Sequence, residues 1–475
     1  MTGAAPARPL AYNPGVPASS PSASRPAADR CPGVLRLAEA ADGYLARVRL
    51  PGGLVEGRQL RVLARLAGEL GDGRVELTSR GNVQLRGLAA DAAAPLTSEL
   101  IRAGLLPSLS HDRVRNVLAS PLAGLDRGTG LTGIVRALDA GLCARPRLAR
   151  LPGRFLFAVD DGRGDVAGLG ADVVATVRAD GAAVNGLAVG RGDAAGAGPG
   201  GGAGEVAGES AGARLVDRDG TVPAMLAFAE AFLDLRAECG GTAWRIADLP
   251  DGHARVRALV AARLGLDAAR GGQRVRATAA TGRRRGGAEE PGLARPAGLV
   301  TGQETGGDGG EPGLARVARP VGLVTRQETG ENGESAATVR NDPGVCAVLL
   351  APLGRLTAAQ LSWVADRAGE RGARVTPWRS LVLPGLADAA AVLREAAALG
   401  FGTDAASPWL RVTACAGRPG CASALADVQA DAAGLAARWP GRTVHVSGCA
   451  RHCGRPAGTE IDVTATSEGY QLGGV

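Results

Sequence analysis

The segment VRLPGGLVEGRQLRVLARLAGELGDGRVELTSRGNVQLRGL, residues 48–88, decides the fold of this chain. It begins with an apolar stretch and a Pro-x-Gly turn at Pro51 and Gly53, and it ends with a second apolar stretch. Between them, leucines from Leu60 to Leu70 recur at the spacing of an α-helix. The pattern predicts a β-α-β unit whose helix has one apolar face.

A second copy of this unit lies at residues 349–386, LLAPLGRLTAAQLSWVADRAGERGARVTPWRSLVLPGL. It has the same order of strand, Pro-x-Gly turn, helix and strand. The second strands align without a gap, so that Thr78 matches Thr376 and Leu88 matches Leu386. Each copy is followed by another short apolar helix. We therefore predict a duplicated half-module whose copies pair around a pseudo-two-fold axis and build a site between them.

The rest of the chain is arranged around these two half-modules. The predicted regions are a tail at 1–30, the first half-module at 31–106, a mixed α/β domain at 107–270, a linker at 271–342, the second half-module at 343–402 and a cysteine-bearing α/β domain at 403–475. We expect disorder in the tail, in a Gly/Ala-rich loop at 181–213 and in the linker, which carries a tandem repeat. The predicted fold class is α+β, with disordered inserts.

The basic residues of the chain are of one kind. Lysine and arginine together number 54, none is lysine, and the formal net charge is +7. Arginine binds carboxylates in a bidentate manner, so this composition suits a polyanionic ligand. With only 3% aromatic residues to stack on bases, nucleic acid is not the expected partner. The sequence has no apolar run of transmembrane length and no apolar signal core near Met1, so we expect a cytoplasmic protein without membrane contact.

Four of the eight cysteines lie close together, as Cys415-x5-Cys421 and Cys449-x3-Cys453. In a reducing cytosol, clustered thiols indicate a metal site or catalysis rather than disulfides. Glycines beside them leave backbone N–H groups free to bond sulfur, which suits iron. A Cys-x5-Cys loop is wide for a zinc knuckle. The spacing favours an iron–sulfur cluster, with zinc or unliganded thiols as alternatives.

The residues around these cysteines give further predictions. A helix is expected to begin at Cys421 and to end before Pro440, followed by a strand. His445 alternates within that strand and is interpreted as a core histidine, whereas His452 lies between cysteines and is expected to tune their metal site. His111 is left open as an iron ligand.

The cysteine pattern and the duplicated half-module resemble the sirohaem sulfite and nitrite reductase superfamily. The stretch LTSRGNVQLRGL, residues 77–88, resembles the Thr-x-Arg-x-x-x-Gln strand that contacts haem in that superfamily, and RNVLASPLAG, residues 115–124, matches as well. The resemblance implies ferredoxin-like half-modules, two reductase-like α/β domains and a [4Fe–4S] cluster. The cluster ligands it implies are Cys415, Cys421, Cys449 and Cys453.

One departure from that superfamily changes the expected chemistry. Sulfite reductases bind their small anion with a Lys-x-Lys pair, where this chain has Arg154-Phe155-Leu156, so the second cation is lost. The stretches LPGRFLFAVDDGRGD and VTPWRSLVLPGL instead resemble the precorrin-3B synthases, a branch of the superfamily. That resemblance implies an oxygen-dependent monooxygenase that hydroxylates precorrin-3A at C20 and closes a γ-lactone. It also implies an external electron donor and suggests a mononuclear non-haem iron. The alternative is a sirohaem-dependent sulfite or nitrite reductase.

The same resemblance implies an arginine-lined site for a tetrapyrrole with many carboxylate arms. Alternate residues of a strand project to one face, which groups the arginines of the first half-module. The predicted substrate-binding residues are Arg47, Arg49, Thr78, Arg80, Asn82, Gln84, Arg86, Arg113, Arg115, Asn116, Arg154 and Arg379. The sequence does not place the residues that activate oxygen, so no catalytic residue is assigned.

Overall fold

Four β-sheets with helices packed on them form the described part of the protein. This computed structural model describes residues 29, 31–125, 131–178, 181–185, 187–189, 218–264, 339–341, 344–456 and 458–473. The tail up to residue 28 and most of the repeat-containing linker lie outside these ranges. The expectation of disorder is wrong for Asp29 at the end of the tail, which contacts Gly153 and Arg113. The predicted α+β class with duplicated half-modules is confirmed.

The first half-module contains the elements that the sequence predicts. In chain order they are β1 (Ala38–Ala40), β2 (Gly43–Val48), β3 (Leu54–Val55), α1 (Gly57–Leu70), β4 (Arg74–Leu77), β5 (Val83–Leu88) and α2 (Ala93–Arg102). Helix α1 begins after Glu56, whose backbone N–H donates to Oε1 of Gln59 at 3.0 Å. Leu60, Leu63 and Leu66 are fully buried on the inner face of the helix, as their spacing predicts.

The next unit is a second sheet covered by helices. Its elements are β6 (Val117–Ala119), α3 (Leu131–Cys143), β7 (Phe157–Asp160), β8 (Val173–Arg178), β9 (Gly181–Val184), β10 (Leu187–Val189), α4 (Arg218–Glu238) and α5 (Gly252–Arg263). The strand order is β10-β9-β8-β7-β6, in which β6, β7 and β8 run parallel. Strands β6 and β7 are fully buried, whereas β8 alternates between buried and partly exposed residues.

The expectation of a disordered loop at 181–213 is wrong for its first residues. Strands β9 and β10 form a hairpin there, with Val184 paired to Leu187. Asn185 stabilises it, because its Oδ1 accepts from the Val174 N–H at 2.7 Å and its Nδ2 donates to the Asp172 carbonyl at 2.8 Å. The remainder of that loop, from residue 190 onward, lies outside the described residues.

The second half-module repeats the first element by element. It contains β11 (Val339–Asn341), β12 (Gly344–Leu350), β13 (Arg355–Thr357), α6 (Ala358–Ala368), β14 (Ala373–Val375), β15 (Ser380–Leu386) and α7 (Ala389–Ala398). Strand β11 falls inside the linker expected at 271–342, so the expectation of disorder is wrong for the last residues of that linker. The strand forms because it pairs with β12, as β1 pairs with β2.

The two half-modules exchange strands across a pseudo-two-fold axis. Strand β13 joins the sheet of the first copy, beside β4, and β3 joins the sheet of the second copy, beside β14. Both copies also carry the same bulge, where Gly87 (φ 66°) and Gly385 (φ 68°) adopt the left-handed conformation that glycine accepts without strain. A single core runs through both copies, including Leu60 of α1 and Leu361 of α6.

The last unit carries the four clustered cysteines. It contains β16 (Val412–Ala414), α8 (Val428–Ala436), β17 (Val444–Ser447), β18 (Ile461–Thr466) and β19 (Gly469–Gly473), in the sheet order β16-β17-β18-β19. The helix predicted from Cys421 begins later, at Val428. It starts there because the Asp427 side chain accepts from the Ala430 N–H at 3.1 Å, while the chain between Cys421 and Asp427 forms turns.

Within the described ranges, none of the helices combines the length and the apolar character needed to span a bilayer.

Candidate functional site

The four clustered cysteines line one cavity of about 610 Å³. Cys415 follows β16 and Cys421 lies six residues further on, while Cys449 and Cys453 follow β17. Strands β16 and β17 are parallel neighbours, so their carboxyl ends lie at the same edge of the sheet. The topology therefore brings two cysteine pairs that are distant in sequence to one place.

The surroundings of these sulfurs fit an iron–sulfur cluster. The Gly448 N–H donates to Sγ of Cys415 at 3.1 Å, a hydrogen bond of the kind that cluster sulfurs accept. A side chain at Gly448 would place its Cβ 2.7 Å from Cβ of Ala424 and 3.5 Å from that sulfur. The thiols are free of disulfides. The cavity is otherwise lined mainly by small residues, among them Ala416, Gly420, Ala422 and Ala424.

The spacing of the four sulfurs does not fit a single zinc ion. Zinc–sulfur bonds of about 2.3 Å place tetrahedral ligands within about 4 Å of one another. No three of these four sulfurs lie within 4.8 Å of one another. The cysteines thus surround a space instead of converging on a point, which favours a cluster.

Arg86, predicted to bind substrate, lies at this cysteine cavity. Its Nε and Nη2 donate to the two carboxylate oxygens of Asp42 at 3.0 and 2.9 Å. Nη2 also donates to the carbonyl of Gly420, next to Cys421, at 2.9 Å. The Arg86 side chain is only 8% exposed, so this pair joins the first half-module to the cysteine loop.

Three other arginines lie side by side, and we call Arg47, Arg49 and Arg80 the arginine cluster. Burial, and after it the charge of neighbouring arginines, lowers the pKa of each guanidinium, that of Arg49 to about 9. Nε of Arg49 is buried and has no hydrogen-bond partner. Positive charges that are crowded and partly dehydrated bind an anion favourably, so the arginine cluster is a candidate carboxylate site.

Two further predicted residues extend or support this cluster. Nε of Arg47 donates to Oε1 of Gln84 at 2.9 Å, and Gln84 in turn donates to Glu76 at 3.1 Å. The Arg154 guanidinium stacks over Trp244, with its carbon 5.5 Å from the ring centroid. Gln84 therefore orients Arg47, and the Trp244 ring supports the guanidinium of Arg154.

The turn that carries Arg80 is shaped by Thr78. Its Oγ1 accepts from the N–H groups of Arg80 at 3.3 Å and Asn82 at 3.1 Å. Asn82 is buried, and its Oδ1 accepts from the Leu50 N–H at 2.9 Å. Through these contacts Thr78 and Asn82 position the turn that carries Arg80. Direct contact of either residue with the substrate stays a prediction.

The second half-module contains the same turn with different side chains. Oγ1 of Thr376 accepts from the N–H groups of Trp378 and Ser380 at 3.2 and 3.3 Å. Arg379 adopts φ 62° there, at the position of Gly81 (φ 64°) in the first copy. A left-handed arginine costs conformational energy, which marks Arg379 as a functional candidate.

The remaining predicted substrate residues lie on the loop before β6. Arg115 is buried and forms a bidentate pair with Asp139, with both N–O distances 2.7 Å. Asn116 is buried and donates to the Gly153 carbonyl at 3.1 Å. Arg113 is more accessible and lies 3.0 Å from a carboxylate oxygen of Asp29. Arg113 and Arg115 both hold a carboxylate, but the Arg113 side chain is 31% exposed and that of Arg115 only 4%, so a ligand could more readily replace the carboxylate at Arg113.

Three of the histidines, His111, His445 and His452, lie close to polar groups of the protein. His445 is buried with Nδ1 2.8 Å from Oγ1 of Thr413, and burial lowers the pKa of the imidazole to about 4, which agrees with a neutral core histidine. His452 lies 2.9 Å from Asp462, and His111 lies 3.0 Å from the Arg145 carbonyl. The expected tuning function of His452 stays a prediction.

One acidic group was missed by sequence reasoning. Asp160, Asp161 and Asp165 are the single set of ligand-type side chains whose atoms converge within 4.8 Å in the described ranges. The carboxylate of Asp160 accepts four backbone N–H groups, and Asp161 pairs with Arg163. These oxygens shape the loop after β7. The run VDDGRGD is the sequence signal that could have identified it.

Leu156, which the resemblance matches to the second cation of the reductases, is 3% exposed. It packs in a small apolar cluster with Leu118, Ala158 and Val166. A buried leucine offers no charge to a small anion, so the structure keeps this position apolar.

The fold and this site resemble those of one class of protein, the nitrite and sulfite reductase superfamily. Residues 37–103 match the nitrite/sulfite reductase ferredoxin-like half domain. The NirA protein of Mycobacterium tuberculosis has a similar solved structure, with a TM-score of 0.57 at 20% identity, covering 89% of this chain and 71% of that chain. The ferredoxin–nitrite reductase of Synechococcus elongatus is 34% identical over 128 residues, 25% of this chain and 25% of that enzyme.

A more extensive likeness is to the precorrin-3B synthase of Sinorhizobium sp. It is 26% identical over 451 residues, which cover 93% of this chain and 82% of that protein. The chain matches only about a quarter of the length of the nitrite reductases that resemble it. These likenesses agree with the superfamily resemblance and with the oxidoreductase class that the sequence predicts.

Proposed function

We propose that this chain is a precorrin-3B synthase, an oxygen-dependent monooxygenase of aerobic cobalamin biosynthesis. It hydroxylates precorrin-3A at C20 and closes a γ-lactone with a neighbouring acetate arm. One atom of O2 enters the substrate and the other leaves as water, so an external donor must supply two electrons and two protons.

The observation that carries this proposal is the extent of the match to a precorrin-3B synthase. It runs through 93% of the chain, whereas the likeness to the nitrite reductase of Synechococcus elongatus stops at 25%. The arginine cluster belongs to the first half-module and the four cysteines belong to the last unit. Because the match extends through both units, it supports the presence of both sites in this chain and in that synthase.

The arginine cluster supports a tetrapyrrole with carboxylate arms as the substrate. Arg47, Arg49 and Arg80 each have a pKa lowered by burial and by neighbouring arginines, so each gains from an added anion. Acetate and propionate arms match the fork of an arginine side chain. In this function the cluster binds and orients the macrocycle, and Thr78 holds Arg80 toward it.

The cysteine cavity supports a [4Fe–4S] cluster held by Cys415, Cys421, Cys449 and Cys453. Such a cluster supplies single electrons. The chain contributes the Gly448 N–H at one sulfur and Arg86, which holds the loop before Cys421. No residue is assigned here to a mononuclear iron: in the Asp160 group, Asp160 accepts backbone N–H groups, Asp161 pairs with Arg163 and Asp165 accepts from the Ser120 hydroxyl.

The second candidate is a sirohaem-dependent sulfite or nitrite reductase, which the 34% identity to a nitrite reductase favours. The buried Leu156 opposes it, since the second cation of the anion site is absent.

The absorption spectrum of the purified protein separates these two functions. We expect the broad brown shoulder of an iron–sulfur cluster without Soret and red bands. Stoichiometric sirohaem, visible as those bands, would instead support the reductase.

A further inference from the structure

A short segment at the start of the described chain lies across the arginine cluster. We call Asp29 and residues 31–35 the strap. One end is fixed: Val34 is 1% exposed in the core of the half-modules, and its N–H donates to Oδ2 of Asp112 at 2.7 Å. The Gly33 carbonyl accepts from the N–H of Arg47 at 3.2 Å, which fastens the strap to β2.

The other end of the strap is held mainly through Asp29. Its Oδ2 accepts from the Gly153 N–H at 2.8 Å and lies 3.0 Å from Nη1 of Arg113. Its backbone carbonyl accepts from Arg113 at 3.2 Å and from Arg36 at 3.4 Å. A carboxylate on a backbone N–H and a guanidinium is the arrangement expected for a bound acid ligand.

The middle of the strap touches the arginine cluster itself. Nη2 of Arg49 donates to the Pro32 carbonyl at 3.1 Å. Cys31 packs so closely on Gly153 that a Cβ at that glycine would lie 2.7 Å from Cβ of Cys31. The Gly153 carbonyl accepts from Arg80 at 3.3 Å. Gly153, whose N–H binds the Asp29 carboxylate, is therefore itself held by Arg80 of the arginine cluster.

Asp29 is ionised in this position. Burial raises the pKa of its carboxyl, but the N–H groups of Cys31 and Gly153 and the charge of Arg113 outweigh burial and leave the pKa below its ordinary value. Its side chain therefore presents a full negative charge to donors on two other segments of the chain.

We propose that Gly153 and Arg113 form a carboxylate subsite of the substrate pocket, that Asp29 is its internal occupant, and that a carboxylate arm of the substrate displaces Asp29 and opens the strap. This inference rests on the proposed function for the identity of the substrate. The subsite itself requires only a carboxylate ligand.

Competition by Asp29 has a measurable cost for binding. A ligand that must first displace an internal carboxylate binds with an affinity reduced by the fraction of open protein. Removing the Asp29 carboxylate should therefore strengthen binding, whereas removing an ordinary contact residue would weaken it.

The test compares Asp29→Ala with Asp91→Ala, a matched change in the exposed turn before α2. Full-length proteins are titrated with precorrin-3A, and hydrogen exchange of the amides in residues 29–35 is measured with and without glutarate, a simple dicarboxylate. We expect Asp29→Ala to bind precorrin-3A about tenfold more tightly than the wild type, and Asp91→Ala to bind equally. Glutarate should accelerate exchange of the strap in the wild type, and Arg113→Gln should abolish that response.

The precorrin-3A titration and the hydrogen-exchange measurement together distinguish failure of this inference from failure of the proposed function. If precorrin-3A binds neither protein but glutarate opens the strap, the subsite stands and the substrate assignment fails. Equal or weaker precorrin-3A binding by Asp29→Ala would contradict the inference. An unchanged exchange rate of the strap in glutarate would contradict it as well.

Discussion

Arginines that look alike in the sequence have different environments in this protein. Arg80 lies among other arginines, whereas Arg86 and Arg115 form bidentate pairs with Asp42 and Asp139. These acidic partners lie 44 and 24 residues away in sequence, so no local pattern identifies them. The family motif predicts that these segments matter, but tertiary packing decides which guanidinium stays available for a ligand.

Replacing Arg80 should weaken substrate binding and leave the cysteine cavity unchanged. Loss of one charged hydrogen bond predicts a cost of about 1.5–3 kcal/mol in precorrin-3A binding for Arg80→Leu. Titration of the protein with precorrin-3A measures this cost. Arg58→Leu is the control, since that side chain is 65% exposed on α1. Equal affinities of the two variants would remove Arg80 from the substrate site.

Replacing Arg86 should loosen the cysteine loop without affecting the substrate arginines. Arg86→Gln leaves the partly buried Asp42 without its cation, which predicts a loss of about 1–3 kcal/mol in unfolding free energy. It should also accelerate loss of iron to a chelator. The double variant Arg86→Gln with Asp42→Asn should recover part of the stability, because no unpaired charge remains. If Arg86→Gln were as stable as the wild type, the Arg86–Asp42 pair would not contribute to the stability of the protein.

Serine at any one of Cys415, Cys421 or Cys449 should remove most of the bound iron and sulfide. The reason is that a cluster of this kind depends on all its thiolates. Iron and sulfide analysis of the purified variants measures the effect, with Cys239→Ser as the control from outside the cavity. Full iron content in the three variants would exclude these ligands.

Helices and strands follow the sequence closely within each half-module but not between them. The Pro-x-Gly turns and leucine spacing predict α1 and α6, and both form. The exchange of β3 and β13 between sheets was not predicted, because these strands are only 2 and 3 residues long and pair with partners distant in sequence. Helix α8 begins later than expected because the cap at Asp427, and not the first apolar residue, sets its start.

The contact between α1 and α6 predicts a sensitive glycine. A Cβ at Gly57 would lie 2.6 Å from the Gly369 carbonyl and 2.8 Å from the Ala365 carbonyl. Gly57→Val should therefore destabilise the protein by about 1–3 kcal/mol through overpacking. Gly68→Ala, where a Cβ meets nothing within 4 Å, should instead stabilise α1 by roughly 0.5–1 kcal/mol. Denaturant unfolding measures both, and an unaffected Gly57→Val would contradict the close helix contact.

In the whole molecule, the cysteine cavity of the last unit borders the half-module that carries the arginine cluster. The arginine cluster draws on β2 and on the turn before β5, while Glu39 of β1 and Arg86 of β5 line the cysteine cavity. One sheet thus connects a candidate binding site for a polycarboxylate with a candidate electron-transfer site. The sequence predicts both sites from motifs. It could not predict the strap, because Asp29 meets Gly153 only through the fold, 124 residues away.

If the tetrapyrrole is the substrate, the protein must insert oxygen into it. The direct measurement is turnover of precorrin-3A under ¹⁸O2 with a reductant, followed by mass spectrometry of the tetrapyrrole. We predict a product that has gained one labelled oxygen atom, with oxygen consumed only when precorrin-3A and reductant are both present. Unchanged precorrin-3A, together with reduction of sulfite or nitrite by the same preparation, would contradict the proposed function.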